Sequence, residues 1–402
     1  MIGASNERQR PGASVHLPAP AKGDPMSLVL RGATLFDGVD FREGDLLLRD
    51  GRVAAILPPG EAPGQRVEQV EGILAPGLID LQVNGSGGVM LDGTATAATF
   101  ARICTSQEGL GVLHVLPTLV TDRPAAVASV IAAAQEAAGT PGLLGLHLEG
   151  PHIDPAKKGA HDGNLVRPLE QADLALYLEA ARSLPRLMLT LSPAAARPEQ
   201  IAALAAAGIV VSLGHTDCTM DEARRAFAAG AACVTHLFNA MSPLGHREPG
   251  LPGAALTSAV PTGLIADGHH VAPELIRIAL AAKPEGLFLV SDCMAVAGTD
   301  LDGFELNGRR ILRRGGRLTL ASGTLAGADL TLPQAIRTLV RFGIPPERAL
   351  AMATSAPARA IGRPDLGRLA PGVPADLVLL TPDLHPAALW RAGVRQDLPS
   401  RP

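Results

Sequence analysis

Eight short apolar runs alternate with Ala-rich stretches between residues 78 and 291, and this alternation narrows the possible folds more than any other feature. The runs lie at 78–83, 111–117, 143–148, 187–191, 209–213, 233–237, 263–266 and 287–291, each bounded by Gly, Pro or polar residues. Stretches 125–138, 199–207 and 221–229 between them have helical character. Strands alternating with helices on this scale pair in parallel through right-handed crossovers. Eight such units fit a (β/α)8 barrel of the α/β class, with a doubly wound sheet as the competing arrangement. Residues 27–73 and 366–380 differ: short alternating segments with Gly and Asp turns predict hairpins. Both chain ends are therefore expected to build one small β-sandwich domain. The expected division is a disordered extension at 1–25, β domain at 26–73, catalytic barrel at 74–362 with a β insertion near 302–322, and the second part of the β domain with a tail at 363–402. Met26 is the expected native start.

Composition removes several function classes. Of 402 residues 47% are hydrophobic, ample for a large core, and the net charge of −4 supplies no basic field for nucleic acid. Eight Phe, one Tyr and one Trp are too few for a stacking platform under single-stranded nucleic acid or an aromatic sugar-binding face. No apolar run is long enough to span a membrane, and residues 1–25 lack the apolar stretch of a secretory signal. Cys104, Cys218, Cys233 and Cys293 are widely separated, which points to reduced thiols and a cytoplasmic enzyme.

Reactive residues collect at the ends of the runs. The third ends in H-L-E-G-P-H (His147, Glu149, His152), the fifth in L-G-H-T-D (His215, Asp217). The sixth carries T-H-L-F-N-A-M (His236, Asn239), the seventh ends in A-D-G-H-H (Asp267, His269, His270) and the eighth in V-S-D (Asp292). In a barrel all strand ends meet on one face, so residues as distant in sequence as Glu149 and His215 become neighbours. A Glu with two His on rigid strand ends suits a catalytic divalent metal, leaving a coordination position for water whose pKa the ion lowers. Asp292 could then move that water's proton to a leaving group. One such residue alone is more often a strand cap or loop contact; five polar run ends in register are not.

Several segments carry a family resemblance. They are P-G-L-I-D-L-Q-V-N-G at 76–85, L-P-T-L-V-T at 116–121, H-L-E-G-P-H at 147–152, K-K-G-A-H at 157–161 and L-G-H-T-D at 213–217. T-H-L-F-N-A-M at 235–241, R-E-P-G at 247–250, A-D-G-H-H-V at 266–271, L-V-S-D at 289–292, L-A-G at 325–327 and P-G-V-P-A-D-L-V-L-L at 371–380 continue the series. Over residues 27–381 the chain resembles the amidohydrolase superfamily and, within it, the N-acetylglucosamine-6-phosphate deacetylase family. Many superfamily members carry H-x-H on the first strand, where this chain has Gln82-Val83-Asn84. Neutral amides are poor transition-metal ligands beside imidazole. The resemblance therefore implies one divalent metal per subunit, zinc first with iron, cobalt or manganese as alternatives, held by Glu149, His215 and His236. Gln82 and Asn84 are then counted among substrate-facing residues.

The same resemblance implies that Asp292 is general base and acid, and that His161, beside Ala160, polarises an acetamide carbonyl. Asn239 and Ala240 match sugar contacts, and His270 with Asp267 matches a phosphate or sugar contact. Arg247 matches a phosphate-binding Arg that reaches in from the neighbouring subunit, which implies a homodimer; a guanidinium is a planar fork suited to phosphate. Leu325, Ala326 and Gly327 match a loop closing over the substrate. The implied reaction is hydrolysis of N-acetylglucosamine 6-phosphate to glucosamine 6-phosphate and acetate. The galacto epimer, other amidohydrolase chemistry (N-acyl-amino-acid deacylation, cyclic amide hydrolysis) and a non-enzymatic sugar-phosphate sensor are the alternatives. His147 is expected to pack in the barrel, and His269 has no assigned role.

Overall fold

A computed structural model of the chain describes residues 27–62 and 64–398. The expected extension at 1–25 and the expected start at Met26 lie outside the described residues. Eight parallel strands follow one another around a ring: β1 (Leu78–Val83), β2 (Val112–Val120), β3 (Leu146–Glu149), β4 (Leu187–Leu191), β5 (Val210–Leu213), β6 (Cys233–Val234), β7 (Thr262–Leu264) and β8 (Leu287–Leu289). The ring closes just beyond β8, where the Asp292 N–H donates to the Gln82 carbonyl at 3.0 Å and the Asn84 N–H to the Cys293 carbonyl at 2.9 Å. Sequential order with last meeting first is a barrel, not a doubly wound sheet.

Each strand is buried along its whole length. Helices α1 (Ala97–Gly109), α2 (Pro124–Glu136), α3 (Gln171–Ala180), α4 (Pro198–Ala206), α5 (Met220–Ala228), α6 (Gly250–Leu256), α7 (Pro273–Ala282) and α8 (Leu332–Arg341) follow the strands in turn. Burial on both faces is why the strands read as unbroken apolar runs. Proline opens α2, α4 and α7, where a missing N–H costs nothing. Thr219 and Glu222 form a reciprocal cap at the start of α5, as do Thr331 and Gln334 at α8. The sixth run stops being a strand earlier than its apolar length suggests, because His236 takes a positive φ of 27° and turns the chain out over the rim.

Two further sheets use both ends of the described chain. One holds Arg52–Leu57, Asp45–Arg49, Ser27–Arg31 and Arg66–Gln69; the other runs Val394–Gln396, Pro386–Arg391, Leu377–Leu380, Ile73–Pro76, Thr34–Phe36, Phe41–Arg42. Leu377–Leu380 pairs antiparallel with Ile73–Pro76, so segments some 300 residues apart share one ladder. Leu30, Leu46 and Val53 from the first sheet and Leu74, Leu377 and Trp390 from the second form a common apolar cluster. No helix among the described residues is long and apolar enough to cross a membrane.

The insertion is larger than its sequence suggests. Gly303–Leu306, Arg309–Arg314, Arg317–Thr319 and Leu325–Ala328 form one antiparallel sheet. Its apolar side, with Phe304, Ile311, Leu318 and Ala326, packs on Val120 and on Met294–Val296 at the C-terminal rim of the barrel. The segment expected as a closing loop, Leu325 to Gly327, is instead a strand paired with Arg317–Thr319. The ladder satisfies its backbone and buries Ala326 completely.

Leu377 lies opposite Trp390 in the ladder, and both are fully buried. Leu377→Ala should lower stability by about 2–5 kcal/mol. Urea unfolding followed by the emission of Trp390, the single tryptophan, measures this; a midpoint equal to wild type would contradict the packing.

Candidate active site

The C-terminal rim is built under strain. His215, His236, Phe238, Ala240 and Asp292 all have left-handed φ, between 27° and 74°. Non-glycine residues persist there only where their surroundings hold them, and such positions concentrate at functional sites. Beyond β5, β6 and β8 these turns bring His215, His236 and Asp292 into one cavity.

Three of these side chains converge. Glu149 Oε1, at the end of β3, lies 3.2 Å from His215 Nε2 and 3.0 Å from His236 Nε2, and the two nitrogens are 3.1 Å apart. All three residues are buried, and their ligand atoms are close enough to hold one metal ion. The hydrogen bonds say which protons are missing. His215 Nδ1–H donates to the Lys157 carbonyl at 2.9 Å, so its Nε2 faces Glu149 as a lone pair. His236 Nδ1 is buried with no partner among the described residues. The His215 lone pair faces the Glu149 carboxylate across 3.2 Å, an arrangement that is repulsive until a cation sits between them, and the three ligand atoms fit a divalent metal.

Gln82 and Asn84 do not line the cavity. Gln82 Nε2 donates to Glu149 Oε1 at 2.8 Å and Asp292 Oδ1 at 3.1 Å, and Asn84 Nδ2 donates to Asp292 Oδ1 at 2.7 Å. The expectation that they face substrate is corrected accordingly: their amide N–H donors go to the carboxylates. Asp292 is buried, and burial together with the charge of Glu149 raises its proton affinity. One layer deeper, Asp80 accepts the backbone N–H of Gln82 and of Ser291, tying β1 to the chain beyond β8.

His161 comes from the loop after β3. Its Nδ1 accepts from the Thr121 hydroxyl at 2.7 Å and the Thr121 backbone N–H at 3.3 Å, so the ring proton sits on Nε2, 3.8 Å from Glu149 Oε2. Burial and the neighbouring His215 push its pKa down to about 3, which keeps the ring neutral and Nε2–H a donor throughout the neutral range. On the opposite wall His270 Nδ1–H donates to Asp267 at 2.6 Å, which fixes the ring.

A cavity of about 390 Å³ joins these groups. Glu149, Ala160, His161, His215, His236, Asn239, Ala240, His270, Asp292, Leu325 and Gly327 line it together with Lys157, Val120, Ile265, Met294 and Leu306. No Phe, Tyr or Trp lines it. Asp267 stands behind His270, Ala326 points into the apolar cluster under the insertion sheet, and Arg247 is exposed outside the cavity. His147 lies below, on Thr190 Oγ1 at 2.8 Å and the Leu81 carbonyl at 3.1 Å. Sequence reasoning missed Thr121 and Lys157: one acts through a hydroxyl and backbone N–H, the other through a backbone carbonyl, and neither leaves a residue-type signal. K-K-G-A-H pointed to the Lys157 segment without revealing its part.

Known proteins resemble this chain in sequence and in fold. A curated relative from Shewanella sp. (strain ANA-3), described as N-acetylgalactosamine-6-phosphate deacetylase, is 38% identical over 80% of this chain and 82% of its own. The Homo sapiens protein described as N-acetylglucosamine-6-phosphate deacetylase is 35% identical over 91% of this chain and 93% of its own. The crystal structure of N-acetylglucosamine-6-phosphate deacetylase from Pasteurella multocida superposes with a TM-score of 0.88 at 31% identity, covering 92% of this chain and all of that one. The profile of the Amidohydrolase family matches residues 73–397, from the strand that precedes the barrel to the last strand of the terminal sheet, and with its buried Glu-His-His set at the barrel rim the chain belongs to that metal-dependent family.

Proposed function

We propose that this protein deacetylates N-acetylglucosamine 6-phosphate, giving glucosamine 6-phosphate and acetate. The observation that carries the reading is the placement of Asp292, a buried carboxylate of raised proton affinity, and His161, a neutral N–H donor, around one Glu-His-His set in one cavity. Glu149, His215 and His236 would hold a divalent ion, zinc in this reading, one per subunit. When bound, such an ion supplies Lewis-acid polarisation and lowers the pKa of water.

The chain's own residues do the rest. Asp292 takes a proton from the attacking water, whose oxygen bonds to the acetamide carbon. His161 Nε2–H donates to the carbonyl oxygen as negative charge grows there. The carbon–nitrogen bond then breaks and Asp292 returns its proton to the departing amine. Gln82 and Asn84 keep Asp292 oriented through both transfers. Asn239, Ala240 and His270 contact the sugar, and the strand Leu325–Ala328 roofs it.

The phosphate needs positive charge that the cavity hardly offers. Lys157 lines it, but its ammonium is paired with Asp217 at 3.1 Å. In this reading Arg247 of a second subunit supplies the missing guanidinium, and the enzyme is a homodimer. It works in the cytoplasm, in keeping with four buried, unpaired cysteines. In this reading the chain divides, over its described residues, into a barrel at 77–362 that carries the insertion sheet and a β domain from 27–76 and 363–398, since Ile73–Pro76 pairs in the terminal sheet. The galacto epimer is the second reading, favoured by the name of the Shewanella relative.

Asp292→Asn should retain one equivalent of metal, measured by elemental analysis, while kcat falls about 10²–10⁴-fold; near wild-type turnover would remove Asp292 from the reaction. Chelation should abolish acetate release, and one equivalent of Zn²⁺ should restore it; a need for two would overturn the single site. Arg247→Ala should raise KM for N-acetylglucosamine 6-phosphate about tenfold or more and leave unphosphorylated N-acetylglucosamine unaffected. Mixing Arg247→Ala with Asp292→Asn subunits should recover low-KM activity, since one site per mixed dimer is intact; no recovery after subunit exchange would refute the shared site.

A further inference from the structure

The loop between β3 and α3 supplies the Lys157 carbonyl that sets the His215 proton, and His161 itself. Its only regular element is the single turn Pro155–Lys157. A segment this irregular needs another source of rigidity, and four side chains at its base provide one. The Arg167 N–H donates to the Pro151 carbonyl at 3.1 Å, and His152 Nδ1–H donates to the Arg167 carbonyl at 3.2 Å, closing the loop where it begins and ends. A carbonyl only accepts, so the His152 proton is on Nδ1 and its Nε2 is a lone pair. That lone pair accepts the Tyr177 hydroxyl at 2.9 Å. Tyr177 is the single tyrosine of the chain, lies on α3 and is fully buried, with its ring edge-on to His152 at 5.7 Å. One turn earlier on α3, Asp173 takes the Arg167 guanidinium through both oxygens. The His152 backbone carbonyl accepts the Ser192 N–H at 2.8 Å, so the pair is also pinned to the end of β4.

We propose that Tyr177 and His152 are positioning residues: their hydrogen bond anchors the β3–α3 loop to α3 and thereby holds His161 against the substrate carbonyl and the Lys157 carbonyl against His215. Neither residue lines the cavity. Both act through the loop, and Asp173 with Arg167 braces the same joint. Burial holds His152 below the usual imidazole range, so its Nε2 stays an acceptor at neutral pH. The inference rests on the deacetylase reading for His161 but not for the loop's hold on His215.

The test is Tyr177→Phe, which deletes one hydroxyl and leaves the ring. With saturating Zn²⁺, kcat on N-acetylglucosamine 6-phosphate should fall about tenfold with KM within about twofold. In a His161→Ala background the same change should cost less than about twofold, because the group it positions is gone. Zn²⁺ affinity, from competition with a chromophoric chelator, should fall about tenfold, since Lys157 no longer holds His215. A lowered melting temperature with unchanged kcat and Zn²⁺ affinity would overturn the proposal, as would equal losses of kcat in both backgrounds. If Tyr177→Phe does not fold, Asp173→Asn, which loosens Arg167 at the same joint, should give the same pattern, and its absence is equally decisive. If the wild-type protein releases no acetate, the deacetylase reading fails while the Zn²⁺ arm still decides the positioning role.

Discussion

One carboxylate oxygen meets two imidazole nitrogens and an amide within hydrogen-bonding distance, and the rest of the molecule is arranged to keep it there. Glu149 Oε1 is the shared point for His215, His236 and Gln82. Left to relax, such a cluster would move apart or collect protons. It persists because His215 and His236 stand in left-handed turns at the barrel rim and because a second layer fixes the cluster: the Lys157 carbonyl on His215, the Asn84 and Gln82 amides on Asp292, and Asp80 beneath them.

On the first strand Gln82 and Asn84 place N–H donors aimed at Glu149 and Asp292. Amide donors neutralise part of the carboxylates' mutual repulsion without carrying charge or competing for the ion. Among the described residues one group, Glu149 with His215 and His236, has the geometry to hold a cation. The insertion sheet completes the enclosure: apolar Leu306, Leu325 and Met294 wall the cavity opposite the polar rim. With no aromatic ring among the described residues that line it, the cavity can hold a polar ligand only by directed hydrogen bonds and charge.

Most of the side chains that meet in the cavity were legible before any coordinates. Glu149, His215, His236, His161, Asn239, His270 and Asp292 do line one cavity. The misplaced expectations share a cause. Gln82 and Asn84 sit at strand positions that face the centre, but whether an amide turns to solvent or to a neighbouring carboxylate depends on what closes the ring. The family resemblance implies a loop at Leu325 to Gly327, yet their backbone completes a ladder with a strand that sequence alone placed in a separate insertion. Thr121 and Tyr177 escaped because each contributes one hydrogen bond that no residue pattern announces.

The amino-acid sequence by itself determined the eight strand–helix units, the polar residue at the end of each critical strand, the scarcity of aromatic rings, and the substitution of H-x-H by Gln82-Val83-Asn84. These are local properties: periodicity, burial and donor type travel with the residue. Tertiary structure alone decided which lone pairs face one another, which carbonyl sets a histidine's proton, and that residues from opposite ends of the chain share one sheet. Those outcomes depend on ring closure, which brings β1 against the chain beyond β8 and Ile73–Pro76 against Leu377–Leu380, and an ångström-scale match between distant backbones leaves no trace in the order of residues.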